Sequence, residues 1–364
     1  MLDSLLRRLA PTVPTVSTTA TQTASATPAV TTPAVTTPSP ASYFRDGFDL
    51  PRATPVSLNG GGNAASIDLP PFLKRLLPDP VGPKLLHLDD GLTPQGQGYD
   101  AKRGEVLTTY YDDSGVLLSI QDKKDGSETL NVRLGGKDSV PPPSHGGGVS
   151  VDGDNVYVSD TDFIYVYSRE AIEKAEREGT VAEPSQVIDV PADRIDPETG
   201  TGLVSNGSYM TVKDGYAYVG GYSKDGDGKA GAVWRYKLDE RTGELIQNEH
   251  SPQGPIRAPD RAQGIAVVDG ALLFTTGDHK LVYQPFDTEK FKADIDDRTD
   301  ISNGKIDPYA QGLNIIDGEL WVTYESGSDK YKDDVDHPRE HIQRIPLDEL
   351  DLDAAGLTPE DLQG

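Results

Sequence analysis

Ten polar side chains recur at matching places along this chain, and their types suit the binding of hard cations or small polar ligands. A polar residue beside a glycine opens each of five similar segments, at Gln95, His145, Asn206, Gln263 and Gln311. Fourteen to seventeen residues further on, each segment carries a second polar group: Asp112, Asp160, Tyr222, Asp278 and Glu325. Amide and carboxylate oxygens are the donors that calcium takes, and imidazole or carboxylate can carry a proton in catalysis. Gln95, His145, Asn206, Tyr222, Gln263, Gln311 and Glu325 are therefore the expected ligand-binding set. His145, Glu325, Asp160 and Asp278 are the catalytic candidates, and Asp160, Asp278 and Glu325 the candidate metal ligands, with calcium as the metal to test. A plainer reading stands beside this one, in which each amide only caps the turn that enters its segment.

Composition removes many other chemistries. The 364 residues contain no cysteine, which excludes disulfides, thiolate metal sites and a cysteine nucleophile. No G-x-S-x-G, phosphate-loop or dinucleotide fingerprint precedes a helix, so no organic cofactor is indicated. With 59 acidic against 34 basic residues, the formal charge of −25 repels phosphate backbones and anionic lipid. No stretch approaches the ~18 apolar residues of a membrane span. The expected partner is a small molecule or carbohydrate, not a nucleic acid or a membrane, and the expected state is a monomer.

The elements that must position these groups are legible in the repeat. The five segments read QGQGYDAKRGEVLTTY, HGGGVSVDGDNVYVSD, NGSYMTVKDGYAYVGG, QGIAVVDGALLFTT and QGLNIIDGELWVTY, starting 48 to 61 residues apart. That period suits four short strands with their loops. Asp152-Gly153, Asp214-Gly215, Asp269-Gly270 and Asp317-Gly318 supply residues tolerant of positive φ, so each unit is predicted to open with a hairpin. Third strands are expected at 116–122, 163–168, 232–238, 281–286 and 341–347, and outer strands at 129–134, 186–190 and 244–250. Small residues crowd the first strands and Tyr, Trp and Arg the third, as a radial arrangement requires. The predicted fold is all-β, a five-bladed β-propeller; six blades and a β-sandwich are the alternatives. The fifth unit lacks a fourth strand after Leu347, so LLHL at 85–88 is expected to complete it. First and second strands are antiparallel, which brings the ten polar groups to one mouth of an axial funnel. The charged connection 326–340 is expected to hang over it, and REAIEKAERE at 169–178 to form a helix.

Residues 1–69 are read as a disordered tail and linker, because 11–41 is almost entirely Thr, Pro, Ala, Val and Ser, which bury too little area to offset ordering entropy. The propeller is expected over 70–350 and an acidic C-terminal tail over 351–364. Asp225-Gly226-Asp227-Gly228 reads as a polar turn. The acidity and the Thr/Pro tail suit a secreted protein, extracellular or in the cell envelope. No secretory signal is visible at residue 1, which leaves a different export route, a misassigned start, or cytoplasmic residence.

PQGQGYD with LTTYYDDSGVLLSIQD, HGGGVSVDGDNVYVSD and QGLNIIDGELWVTYESGSDKY resemble a group of uncharacterised, usually exported bacterial β-propeller proteins, loosely similar to gluconolactonase-like and quinoprotein-like propellers. The likeness covers about 84–350. It implies a propeller and an axial site. The calcium-dependent lactonases of that kind set a Glu, amides and an Asp around one ion, whereas the first blade here starts on Gln95. The five-bladed arabinan-cleaving enzymes place carboxylates on the inner strands, where this chain has Gln, His, Asn, Gln and Gln; a catalytic pair would come from Asp160, Asp278 and Glu325. The expected function is small-ligand or carbohydrate binding, with a metal-assisted hydrolase of a lactone, ester or sugar as the alternative.

Overall fold

The structure, a computed structural model, describes residues 80–196, 199–224 and 228–363. The tail expected over 1–69 and most of the Asp225-Gly228 turn lie outside these residues.

Short alternating strands separated by turns form five sheets, four of them antiparallel and four-stranded and one, in blade three, six-stranded. Blade one comprises Thr93–Asp100, Glu105–Asp112, Gly115–Asp122 and Glu128–Arg133; blade two, Gly148–Asp152, Asn155–Asp160, Phe163–Ser168 and Gln186–Asp189. Blade three comprises Tyr209–Lys213, Tyr216–Gly220, Lys229–Lys237 and Gln253–Arg257; blade four, Ala262–Val268, Ala271–Thr276, Leu281–Pro285 and Thr299–Asp300. Blade five takes Ala310–Ile316, Glu319–Tyr324 and His341–Pro346 from late in the chain and Val81–Lys84 from the start of the described residues. Each innermost strand touches the innermost strands on both sides, from one to five and back to one, so the sheets close into a propeller.

The core is divided in the same way. Side chains alternate across a strand, and each blade therefore feeds two clusters, one per face. Val156 and Val158 pack with blade one, while Tyr157 between them packs with blade three. Five apolar clusters result, one in every seam between neighbouring blades.

At the axis the seams are too narrow for side chains. A methyl group on Gly148 would overlap the amide nitrogen of Met210 in blade three, and one on Gly312 the amide of Gln97 in blade one. Gly96 and Gly264 meet the next inner strand in the same way. Blade three is the exception: Tyr209 takes the glycine's place, its ring lies where a side chain on Gly220 would be, and it reaches Phe274 of blade four edge-on at 6.1 Å. Hydroxyls latch two of the seams. Thr109 donates to the Gly146 carbonyl at 2.6 Å, and Thr275 to the Gln311 carbonyl at 2.7 Å.

Two expectations need correction. The strand that closes blade five is Val81–Lys84, immediately before 85–88; Leu85, Leu88 and Leu92 instead fill the seam between blades five and one. The outer strand of blade three is Gln253–Arg257, not 244–250. Its register is anchored by Arg235, whose guanidinium lies 4.6 Å from the Tyr216 and Phe291 rings and bonds the Gln253 side chain at 2.9 and 2.5 Å. A pairing of Gly202–Val204 parallel to blade three's third strand, with Arg194–Ile195 beyond it, was not foreseen. The helix Arg169–Glu178 forms as expected, capped by Ser168 and by Gly179 at φ 64°. Beyond Leu350 the chain makes two 3-10 turns and buries Leu352 and Leu362 on the seam between blades four and five.

Replacing Gly148 by Ala should lower the free energy of unfolding by about 3 kcal/mol, because the blade-three backbone must give way. Urea denaturation measures it; an unchanged midpoint would show that the axial seam is loose.

Candidate active or ligand-binding site

Three of the five inner strands carry an irregularity at the same place. The ladder slips by one residue at Gln95-Gly96, at Gln263 and at Gln311-Gly312, in three consecutive blades. An extra residue in a strand re-aims its side chain out of the regular alternation. Gln95 and Gln311 are turned onto one target: their Nε2 atoms donate to Oε1 and Oε2 of Glu325, the latter at 2.9 Å. Glu325 begins a 3-10 turn, Glu325–Gly327, where the second strand of blade five ends, and its amide is held by the Tyr309 carbonyl at 3.0 Å.

Glu325 is only 6 % exposed, and Gln95 and Gln311 are equally buried. Hydrogen bonds to an ionised group contribute ~1.5–3 kcal/mol each, against a desolvation cost of several kcal/mol. The two nearly balance, with burial ahead. Burial raises the carboxyl to about 7, opposed by Gln95, by the charge of Lys330 and by Gln311. Near neutral pH this group therefore populates both protonation states, a condition suited to proton transfer.

Two ring pairs, one stacked and one tilted, wall this end of the axis. Tyr111 lies on His145 with centroids 4.2 Å apart, and Tyr331 on Tyr309 at 4.9 Å. Lys330 lies between the pairs, its Nζ 5.0 Å from the Tyr111 and Tyr331 centroids and 2.7 Å from the Tyr111 hydroxyl. The connection that carries Lys330 and Tyr331 is tied back to the site, because Ser328 donates through both its amide and its hydroxyl to the Glu325 carbonyl, at 2.9 and 2.8 Å. Partial burial holds the His145 imidazole below its ordinary value; Asp160 opposes this shift and Lys330 adds to it. Burial and the nearby Glu325 push the Tyr331 phenol up to about 12.

The sequence candidates thus divide. Glu325, Gln95 and Gln311 are in direct contact, and His145 joins them through Tyr111 and Lys330. Asp160 is consumed by its own loop: it accepts from the amides of Ser144, His145 and Gly146 and from the Ser144 hydroxyl, at 2.5 to 3.1 Å. Asn206 accepts from the Ser208 hydroxyl and the Tyr222 amide, which fixes the entrance to blade three. Asp278 is exposed and pairs with Lys280 at 2.6 Å and the Thr276 hydroxyl at 2.5 Å. Asp112 is bound by Arg133 at 2.6 Å. Gln263 is half-buried, and its side chain bonds no described residue. Among the described residues, no group of three or more His, Asp or Glu could hold a metal ion. Two cavities lie away from this site, about 810 Å³ beside the helix Arg169–Glu178 and about 840 Å³ between Arg194 and Lys292.

Sequence reasoning missed Tyr111, Tyr309, Lys330 and Tyr331. Tyr111 was passed over for its neighbour Asp112 because the second-strand register was one residue off in blade one. Tyr309 holds φ 65° just ahead of Ala310-Gln311, which no local signal announces.

No protein-family model matches the chain, and no curated protein does. Solved structures do match. A luciferin-regenerating enzyme is 13 % identical, with 73 % of this chain and 80 % of that one covered at a TM-score of 0.38. The glutaminyl cyclase of Myxococcus xanthus is 10 % identical, with 74 % and 94 % covered at a TM-score of 0.43. The WD40 β-propeller domain of Doa1 is 10 % identical, with 69 % and 78 % covered at a TM-score of 0.32. No helix among the described residues is long and apolar enough to cross a membrane.

Since Glu325 has a raised carboxyl value when folded, its stabilising contribution is complete below 4.5 and is lost as pH rises toward 7. Glu325→Gln removes that loss. The stability of the variant relative to the parent should increase by as much as roughly 3 kcal/mol between pH 4.5 and 7, read from urea midpoints at each pH. A difference independent of pH would show that Glu325 is ionised throughout.

Proposed function

We propose that the axial mouth around Glu325 is a small-ligand site, suited to a carbohydrate or a comparably polar molecule. The observation that carries the reading is the carboxyl itself, buried and held by two amides from adjacent blades beneath aromatic walls. Amides and a carboxyl can exchange hydrogen bonds with ligand hydroxyls, and aromatic faces can pack on the C–H face of a ring. A location outside the cytoplasm, extracellular or in the cell envelope, belongs to this proposal, and fractionation of the host checks it.

The hydrolase reading draws on one further fact, the elevation of Glu325 toward neutrality, which suits a general acid or base. Glu325 would be its only carboxyl, because Asp160 and Asp278 are engaged elsewhere. Calcium enters the proposal through the same group. Glu325 with the carbonyl oxygens of Gln95 and Gln311, once both amides turned over, supplies far fewer than the six to eight oxygens calcium takes. Ligand or water oxygens would have to complete the shell.

The test is a calorimetric and thermal-shift screen of the full chain with monosaccharides, lactones and calcium, followed by turnover assays on every hit. The expected result is saturable binding without turnover. Binding should fall at least tenfold in the His145→Ala, Glu325→Ala double variant, whose melting temperature should stay within a few degrees of the parent. Turnover that Glu325→Gln abolishes would establish the hydrolase reading instead. Undiminished binding by the folded double variant would place the site elsewhere.

A further inference from the structure

Blade four repeats the frame of blade five with a different occupant. Arg261 stands where Tyr309 stands, just ahead of an Ala-Gln-Gly run, and both hold a positive φ, 58° and 65°. The Arg261 carbonyl accepts from the Gly277 amide at 2.8 Å, as the Tyr309 carbonyl accepts from the Glu325 amide at 3.0 Å. Pairing of Ala262 with Thr276 and of Ala310 with Tyr324 fixes the same alignment. Gly277 is therefore the counterpart of Glu325, and blade four has no carboxyl at this place. The guanidinium of Arg261 lies there instead: a methyl group on Gly277 would come within 3.1 Å of Nε and Nη2. Gly277 has no positive φ that would call for glycine, so its missing side chain serves to seat the arginine.

This exchange leaves two donors over. Gln263 is the counterpart of Gln311, which gives its amide to Glu325 at 2.9 Å; with no carboxyl opposite, the Gln263 side chain bonds no described residue. Arg261 is half-buried, its backbone amide is tied to the Ser223 carbonyl at 3.1 Å, and its side chain bonds no described residue either. Asp278, next to Gly277, is taken by Lys280 and the Thr276 hydroxyl. A guanidinium with open N–H groups pairs with a carboxylate through two parallel, charge-assisted hydrogen bonds.

We propose that Arg261 and Gln263 receive a carboxylate carried by the ligand, so that the axial mouth selects an acid, such as a uronic acid, over a neutral sugar. The inference rests on the ligand-site reading of the mouth and names the group by which the ligand is chosen. A ligand carboxylate restores in blade four the contact between carboxyl and glutamine that blade five makes with its own Glu325, and Arg261 adds the opposite charge. Glu325, held by Gln95 and Gln311, remains for the ligand hydroxyls. Nothing covalent is involved. A guanidinium already seated on Gly277 loses little freedom when the acid arrives, which favours binding.

The test is isothermal titration of the full chain with D-glucuronate and D-galacturonate, each against its uncharged amide, D-glucuronamide or D-galacturonamide. At least one acid should bind roughly tenfold more tightly than its amide. Arg261→Asn, a residue that tolerates positive φ, should remove that preference, weakening the acid about tenfold and the amide less than twofold. Gly277→Ala keeps every charge but displaces the guanidinium, and should weaken the acid about threefold or more while sparing the amide. Arg241→Gln, which removes an exposed arginine beside the cavity at the helix Arg169–Glu178, should change the acid less than twofold. Arg261→Lys, which keeps the charge and loses the paired hydrogen bonds, repeats the comparison should the asparagine variant unfold. Equal binding of acid and amide, a preference that survives in both Arg261 variants, or an equal loss in Arg241→Gln overturns the inference. If the neutral amides bind in a manner lost with Glu325→Ala while the acids gain nothing over them, this inference fails and the proposed function stands. If neither class binds, both fail.

Discussion

Everything in this molecule depends on how closely five inner strands can approach one axis. At that distance backbone meets backbone, and four strands place glycine at the contact, at Gly96, Gly148, Gly264 and Gly312. The fifth solves the same problem in reverse, with Tyr209 filling the seam and Gly220 yielding the space for its ring. A side chain at any of the four glycines would push a blade outward and open two apolar seams at once, because each blade feeds the clusters on both its faces. The hydroxyl of Thr109 or Thr275, bonded across the seam, adds direction to a contact that would otherwise be only steric.

The site is a by-product of the same crowding. A glutamine next to an axial glycine cannot follow the regular alternation, and in three consecutive blades the ladder takes up the difference by a one-residue slip. Two of the glutamines are thereby aimed at Glu325, which neutral donors hold where a lysine or arginine would have fixed it as a carboxylate. Two amide bonds are almost enough to offset the burial of a charge, and the group is left poised between its two protonation states. Had an arginine stood in place of either glutamine, the balance would have tipped wholly to the ionised form.

Closure of the ring serves the site as well as the fold. Val81–Lys84 pairs with His341–Pro346, and the leucines that follow it fill the seam between blades five and one. That seam separates Gln95 from Gln311 and Glu325. The geometry of the carboxyl and its two amides therefore depends on a strand from the start of the described chain holding the last blade in place. Stability of the ring and alignment of the site are one requirement.

The sequence by itself determined the repeat, the number of blades and the identity of the glutamines and of Glu325, because period-two alternation, Asp-Gly hairpins and Gln-Gly pairs are local signals that survive in a linear text. It also placed the first and last strands of the propeller in one blade, since a unit without a fourth strand must find one. Tertiary structure alone decided which of the ten polar groups would work together. Asp160, Asn206, Asp278 and Asp112 have the chemistry expected of them but spend it on nearby loops, on Lys280 or on Arg133. Tyr111 lies 219 residues before Lys330 in the text and meets it only when blade five closes on blade one. Side-chain type is a property of the residue; which partner it finds first is a property of the fold, because a hydrogen bond or an aromatic contact is decided within a few ångströms that no spacing along the chain encodes.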